Sequence, residues 1–123
     1  MKFKVTVIDP FAEDINKGKT DVHFLRTLNT EKMFRDNTGA ELQAQLSTLF
    51  KIQAAMEADP TSTEAVEARM DIEYSNTRHE VLKYMYAELK DGALIQNEET
   101  RKRFDEMEDL DENQALGTFF RNV

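Results

Sequence analysis

From Leu42 to Leu89 the large apolar side chains recur at helical spacing on both sides of one proline, and this stretch sets what the chain can fold into. Leu42, Leu46, Leu49, Phe50 and Met56 fall on one helical face. Thr38 with Glu41 forms a capping box ahead of them, and Asp59-Pro60 stops the helix. Thr61 and Glu64 offer a second box directly after the proline. Val66, Met70, Tyr74, Val81, Met85 and Leu89 then make one long stripe, with Thr77 in line and Ile72, Leu82 and Tyr86 widening it. The pattern predicts the longest helix over about residues 62–90, closed by Gly92 as a left-handed C-cap. Such a stripe is too wide for a two-stranded coiled coil, so packing against several neighbours is expected.

The N-terminus has a different period. Lys2, Lys4 and Thr6 alternate with Phe3, Val5 and Val7, which predicts a half-buried strand ended by Asp9-Pro10. A second strand is expected over 21–27, and residues 9–20 between them read as an exposed loop. Two strands are marginal alone, so helices must cover their apolar face. Asn29 or Thr30 can cap a short helix carrying Met33 and Phe34. Asn97 can cap another with Phe104, Met107 and Leu110, and Asp111 with Gln114 suggests a last one holding Leu116, Phe119 and Phe120. The expected fold class is therefore α+β, mainly α, with an N-terminal two-stranded β-hairpin packed on three to four helices. Residues 1–123 read as a single domain, with 98–123 an acidic C-terminal helical segment that can be mobile.

Composition narrows the function classes. The chain carries 24 acidic against 16 basic residues, a formal charge of −8, which disfavours direct binding to nucleic acid or anionic membranes. It has no cysteine, so disulfides, thiolate zinc sites and cysteine nucleophiles are excluded, and the cytoplasm is the expected compartment. No segment approaches a membrane span, and the apolar character of the N-terminus stops at Ile8, short of a signal peptide.

Local motifs fail at the positions that carry their chemistry. Gly18-Lys19-Thr20 resembles the end of a phosphate-binding loop, but Glu13 stands where the leading glycine belongs. Asp109, Asp111 and Asn113 begin a calcium-loop pattern that then has Gln114 for glycine and Phe120 for glutamate. His23 alternates with Val22 and Phe24 and is expected to face solvent; His79 lacks a helical histidine partner for zinc. The acids of 98–112 are interrupted by Arg101, Lys102 and Arg103, which suits a helix surface with pairs such as Glu98–Lys102 and Glu99–Arg103. An acidic inhibitor that mimics nucleic acid and blocks a basic DNA- or RNA-binding protein is the alternative reading of that segment. No nucleophile is grouped with a base, so no enzyme, cofactor or metal site is expected.

The order of elements resembles the small tail assembly chaperones of long-tailed bacteriophages. The β segment Phe3–Ile8 with Val22–Leu25, the amphipathic helices Leu42–Met56 and Val66–Leu89, and the acidic end Glu98–Glu112 carry the resemblance. It implies a non-enzymatic protein-binding assembly factor, located in the host cytoplasm if viral, that shields apolar helical segments of a tape-measure protein and hands over to tail-tube subunits. Its partners would be other proteins, with homo-oligomers expected as well. The partner-binding residues would be Tyr74, Met85, Tyr86 and Leu89 on the long helix, with Leu116, Phe119 and Phe120 at the terminus. Adjacent residues on a helix cannot share one narrow face, so Phe119 and Phe120 must divide between core and surface or dock elsewhere.

Overall fold

The alternating N-terminal run forms strand β1 (Lys2–Ile8), which pairs antiparallel with β2 (Lys19–Leu25) in the register Phe3 opposite Phe24 and Val5 opposite Val22. The computed structural model describes residues 1–8 and 18–122. The greater part of the expected loop, residues 9–17, lies outside the described residues. Lys19 and Thr20 belong to β2 and not to a loop.

Four helices follow: α1 (Leu28–Thr38), α2 (Leu42–Ala58), α3 (Thr63–Met70) and α4 (Ile72–Met85). Thr27 caps α1 in a reciprocal box with Thr30, two or three residues ahead of the expected caps. The Thr38–Glu41 box does not form. Thr38 is the last residue of α1, Gly39 takes the left-handed C-cap, and Glu41 leads α2 without a side-chain cap bond. Ser62, and not Thr61, caps α3 by accepting from the Ala65 amide at 3.1 Å.

The predicted 62–90 helix is three elements. Asp71 ends α3 and caps α4, its carboxylate accepting from the Glu73 amide at 2.9 Å. Helix α4 stops at Met85, and β3 (Tyr86–Lys90) runs on from it to pair with β4 (Ala93–Ile95). Asp91 and Gly92 make the two-residue turn with φ of 52° and 82°, the left-handed pair that a twisted hairpin requires. Gly92 is thus a hairpin glycine and not a helix cap. The sheet therefore has four antiparallel strands in the order β1-β2-β3-β4, where a two-stranded hairpin was expected. Its middle seam is short: only His23–Ala87 and Phe24–Tyr86 pair between β2 and β3. Gln96 lengthens the seam with its side chain, donating to the carbonyls of Leu25 at 3.0 Å and Tyr86 at 3.4 Å while accepting from the Thr30 hydroxyl at 2.6 Å.

Helices α5 (Glu98–Asp105) and α6 (Glu112–Arg121) complete the chain, capped by Asn97 and Asp111 as their sequences indicate. Phe104, Ala115, Leu116 and Phe119 insert into the core, so the acidic end is anchored. Helix α4 lies at the centre, touching α1, α2, α3, α5, α6 and β2, with Val81, Leu82 and Met85 fully buried. Among the described residues no helix is long and apolar enough to cross a membrane.

A Cβ on Gly92 would meet no atom within 4 Å, so its substitution tests backbone conformation alone. Gly92→Ala is expected to lower unfolding stability by about 1–2 kcal/mol in urea titration, from the left-handed penalty on an L-residue.

Candidate binding groove between the second and last helices

The sequence-predicted binding residues divide sharply. Tyr74, Met85, Tyr86, Leu116 and Phe119 are buried in the core. Leu89 is exposed on β3 and Phe120 is half-buried on α6. The helical stripe expected to face a partner is instead filled by the protein's own helices and sheet. Phe119 and Phe120 do divide as their adjacency demands: one ring points inward against Phe3 at 5.7 Å, the other outward against Phe50 at 5.1 Å.

That second contact defines a groove. Leu46, Phe50, Phe119 and Phe120 line a cavity of about 450 Å³ between α2 and α6, with Arg26 and Lys51 at its rim. A neighbouring pocket of about 270 Å³ shares Phe50 and Phe120 and continues past Gly117 to Arg121 and Glu57. Phe50 is 52% exposed and so leaves much of its ring uncovered. The sequence assigned Phe50 to the buried stripe, but it lies one residue past Leu49 and only one of the two can face inward.

Polar contacts fix the groove walls. Arg26 stacks over the Phe119 ring at 5.9 Å and is held by Glu31 at 2.6 Å and Gln43 at 2.7 Å. Gln53 donates to the Asn113 carbonyl at 3.3 Å, joining α2 to the first turn of α6. Gly117 permits this approach, because a Cβ there would lie 2.9 Å from the Gln53 side-chain nitrogen. Lys51 and Arg121 have no carboxylate within ion-pair distance among the described residues. The groove is therefore apolar at its floor, with Lys51 at one end and Arg121 and Glu57 at the other.

The other sequence features take structural places. Gly18-Lys19-Thr20 enters β2 and no helix follows it. Asp111 caps α6, and the Asn113 side chain accepts from Arg78 at 2.8 Å. No group of three or more His, Asp or Glu side chains among the described residues has the geometry to hold a metal ion. His23 is half-buried in β2, opposite Lys4.

His79 has a role that linear spacing could not reveal. Its Nε2 lies 2.7 Å from Asp105 on α5, and its Nδ1 lies 3.2 Å from Glu112 on α6. The Phe104 ring sits 5.0 Å away. Partial burial pulls the imidazole pKa down, but the two carboxylate hydrogen bonds and their charges outweigh it, and the net shift is upward. The same contacts, with Lys83, hold the Asp105 carboxyl below its ordinary value against the opposing effect of burial. The acids of 98–112 are thus in part structural: Asp105 and Glu112 fasten α5 and α6 to α4. The expected pairs Glu98–Lys102 and Glu99–Arg103 also form, at 4.0 and 3.9 Å, on the open surface. On the sheet, Tyr86 is pushed up to about 12 by burial and by its hydrogen bond to Glu88, which Arg103 in turn grips.

No known protein family, curated protein sequence or solved structure matches this chain.

Two outcomes follow from this geometry. A histidine whose folded pKa is raised contributes stability that is complete below its ordinary value of 6.5 and is lost as pH rises through the folded value. The stability difference between the natural chain and His79→Gln should therefore shrink as urea titrations move from pH 6 to about 8.5. Gly117→Leu should cost about 1–3 kcal/mol by overpacking α6 against Gln53, read in the same titrations at constant pH.

Proposed function

We propose that this protein is a non-enzymatic binding factor that holds an apolar helical segment of another protein in the groove between α2 and α6. The carrying observation is the exposed Phe50 ring set edge-on to the half-buried Phe120 over a cavity of about 450 Å³. Helix-in-groove recognition needs an elongated apolar trough that accepts side chains spaced one turn apart, and two contiguous pockets sharing that aromatic pair supply one. Aromatic rings at such a site bring large contact area with little rotamer entropy to lose. Lys51 favours an acidic residue beside the occupant's apolar face at one end, while Glu57 stands with Arg121 at the other.

In concrete form the proposal is an assembly chaperone of the phage-tail kind, shielding apolar helices of a tape-measure protein until tail-tube subunits replace it. The order of elements and the apolar floor of the groove support this reading. The acids of the C-terminal helices are engaged with His79, Lys83, Arg78 and Arg103, which speaks for a fastening role over an imitation of nucleic acid.

The test uses a fluorescent amphipathic peptide with Leu and Phe on one helical face and Glu beside them. Anisotropy should report saturable binding to the natural chain and a loss of about tenfold or more in affinity for Phe50→Glu and for Phe120→Glu. Phe119 is unsuitable for the experiment because it is 2% exposed and its replacement disturbs the core. Equal binding by all forms, or no binding by any, would overturn the proposal.

A further inference from the structure

His79 sits where both ends of the most acidic stretch of the chain come together. Asp105 closes α5, Glu112 opens α6, and Glu106, Glu108, Asp109 and Asp111 lie exposed on the connector between them. Six of the eight residues 105–112 are therefore acidic, and their mutual repulsion works to spread the connector. Met107 and Leu110 oppose it by packing against the core, beside Val7 and Val22. The imidazole touches both ends at once.

A carboxylate only accepts hydrogen bonds, so both contacts are made only by the charged ring, which carries a proton on each nitrogen. Loss of one proton must unmake one of them, and the neighbours decide which. Asp105 lies 2.7 Å from Nε2 and is also within 3.5 Å of Lys83, whose other partner is Glu80 on the same helix at 2.9 Å. Glu112 lies farther off, 3.2 Å from Nδ1. Its other oxygen, Oε1, stands 3.7 Å from Arg78 Nε, and both atoms are buried with no hydrogen-bond partner among the described residues. A donor and an acceptor thus wait one small movement from bonding. Among the described residues, α1, α2, α3 and β2 bring no carboxylate within ion-pair distance of the ring, and α5 and α6 bring only these two.

We propose that His79 is a two-position clasp: charged, it ties Asp105 to Glu112; neutral, it keeps Asp105 through Nε2–H and passes Glu112 to Arg78. The ends of the connector are then no longer held by one ring. Phe104, Leu116 and Phe119 keep both helices docked in the core. What loosens is the connector and the first turn of α6, where Asp111 accepts from the Gln114 amide at 3.1 Å and the Ala115 amide at 3.0 Å. Burial draws the imidazole pKa down, the two carboxylates outweigh it, and the exchange falls on the alkaline side of 6.5. The clasp stands apart from the groove and does not rest on it.

Nuclear magnetic resonance of the histidine ring nitrogens, combined with amide hydrogen exchange, tests this from about pH 5.5 to 8.5. In the natural chain the neutral His79 ring should carry its proton on Nε2. Over the same range the Gln114 and Ala115 amides should lose about tenfold in protection beyond the intrinsic effect of pH on exchange, while the amides of α4 keep theirs. Glu112→Gln offers the ring both a donor and an acceptor, so its contact survives in either charge state and its protection should stay level. A neutral ring protonated on Nδ1, level protection in the natural chain, or an equal loss in Glu112→Gln would overturn the clasp. Circular dichroism would establish that the variant is folded; if it is not, the tautomer and the protection of the natural chain decide alone.

Discussion

Phe24 joins the two halves of this protein. Its ring is fully buried, stacked on Phe3 at 4.9 Å and set edge-on to Tyr86 and Phe104 at 6.3 and 6.5 Å. Those three partners come from β1, from the strand that leaves α4, and from α5. One side chain in β2 therefore fixes both sheet neighbours and helix α5 around the same point. A buried aromatic of this kind is worth about 3–5 kcal/mol against alanine, a large share of the total stability of a small domain. Phe3 passes the constraint on to Phe119, and Phe119 in turn settles that Phe120 faces the groove. The binding surface is in this sense the outer end of an aromatic chain that begins in the sheet.

Much of the element order was legible because short-range chemistry decides it. The alternation of residues 2–7, and the Asn97 and Asp111 caps, act over a few residues and fold as they read. The long helix failed at two places for identifiable reasons. Leu82, Met85, Tyr86 and Leu89 keep helical spacing across the point where α4 becomes β3, so periodicity alone cannot see the boundary. The signal that could have placed it was Asp91-Gly92, whose left-handed turn favours a hairpin over a helix end. At Asp71 the competing interaction was a side-chain cap, available to any aspartate and decisive only once both flanking segments pack in different directions.

The candidate site was less legible than the fold. Apolar residues at helical spacing look the same whether they meet the protein's own core or a partner, and here Tyr74, Met85, Tyr86, Leu116 and Phe119 met the core. Which residues stay outside is set by the crossing of α2 with α6, a distance in space that spacing along the chain does not encode. His79 shows the same limit for charge. Its two carboxylates come from different helices far along the sequence, and only packing of α5 and α6 brings them to one ring.

The four-stranded sheet is two hairpins spliced by two rungs and the side chain of Gln96. Each hairpin is joined by a connection short in sequence, whereas the splice closes a loop that holds all of α1 to α4. Closing such a loop costs chain entropy that nothing repays until those helices are in place. The seam is consequently expected to zip last, and once closed its buried Phe24–Tyr86 rung holds the two hairpins together.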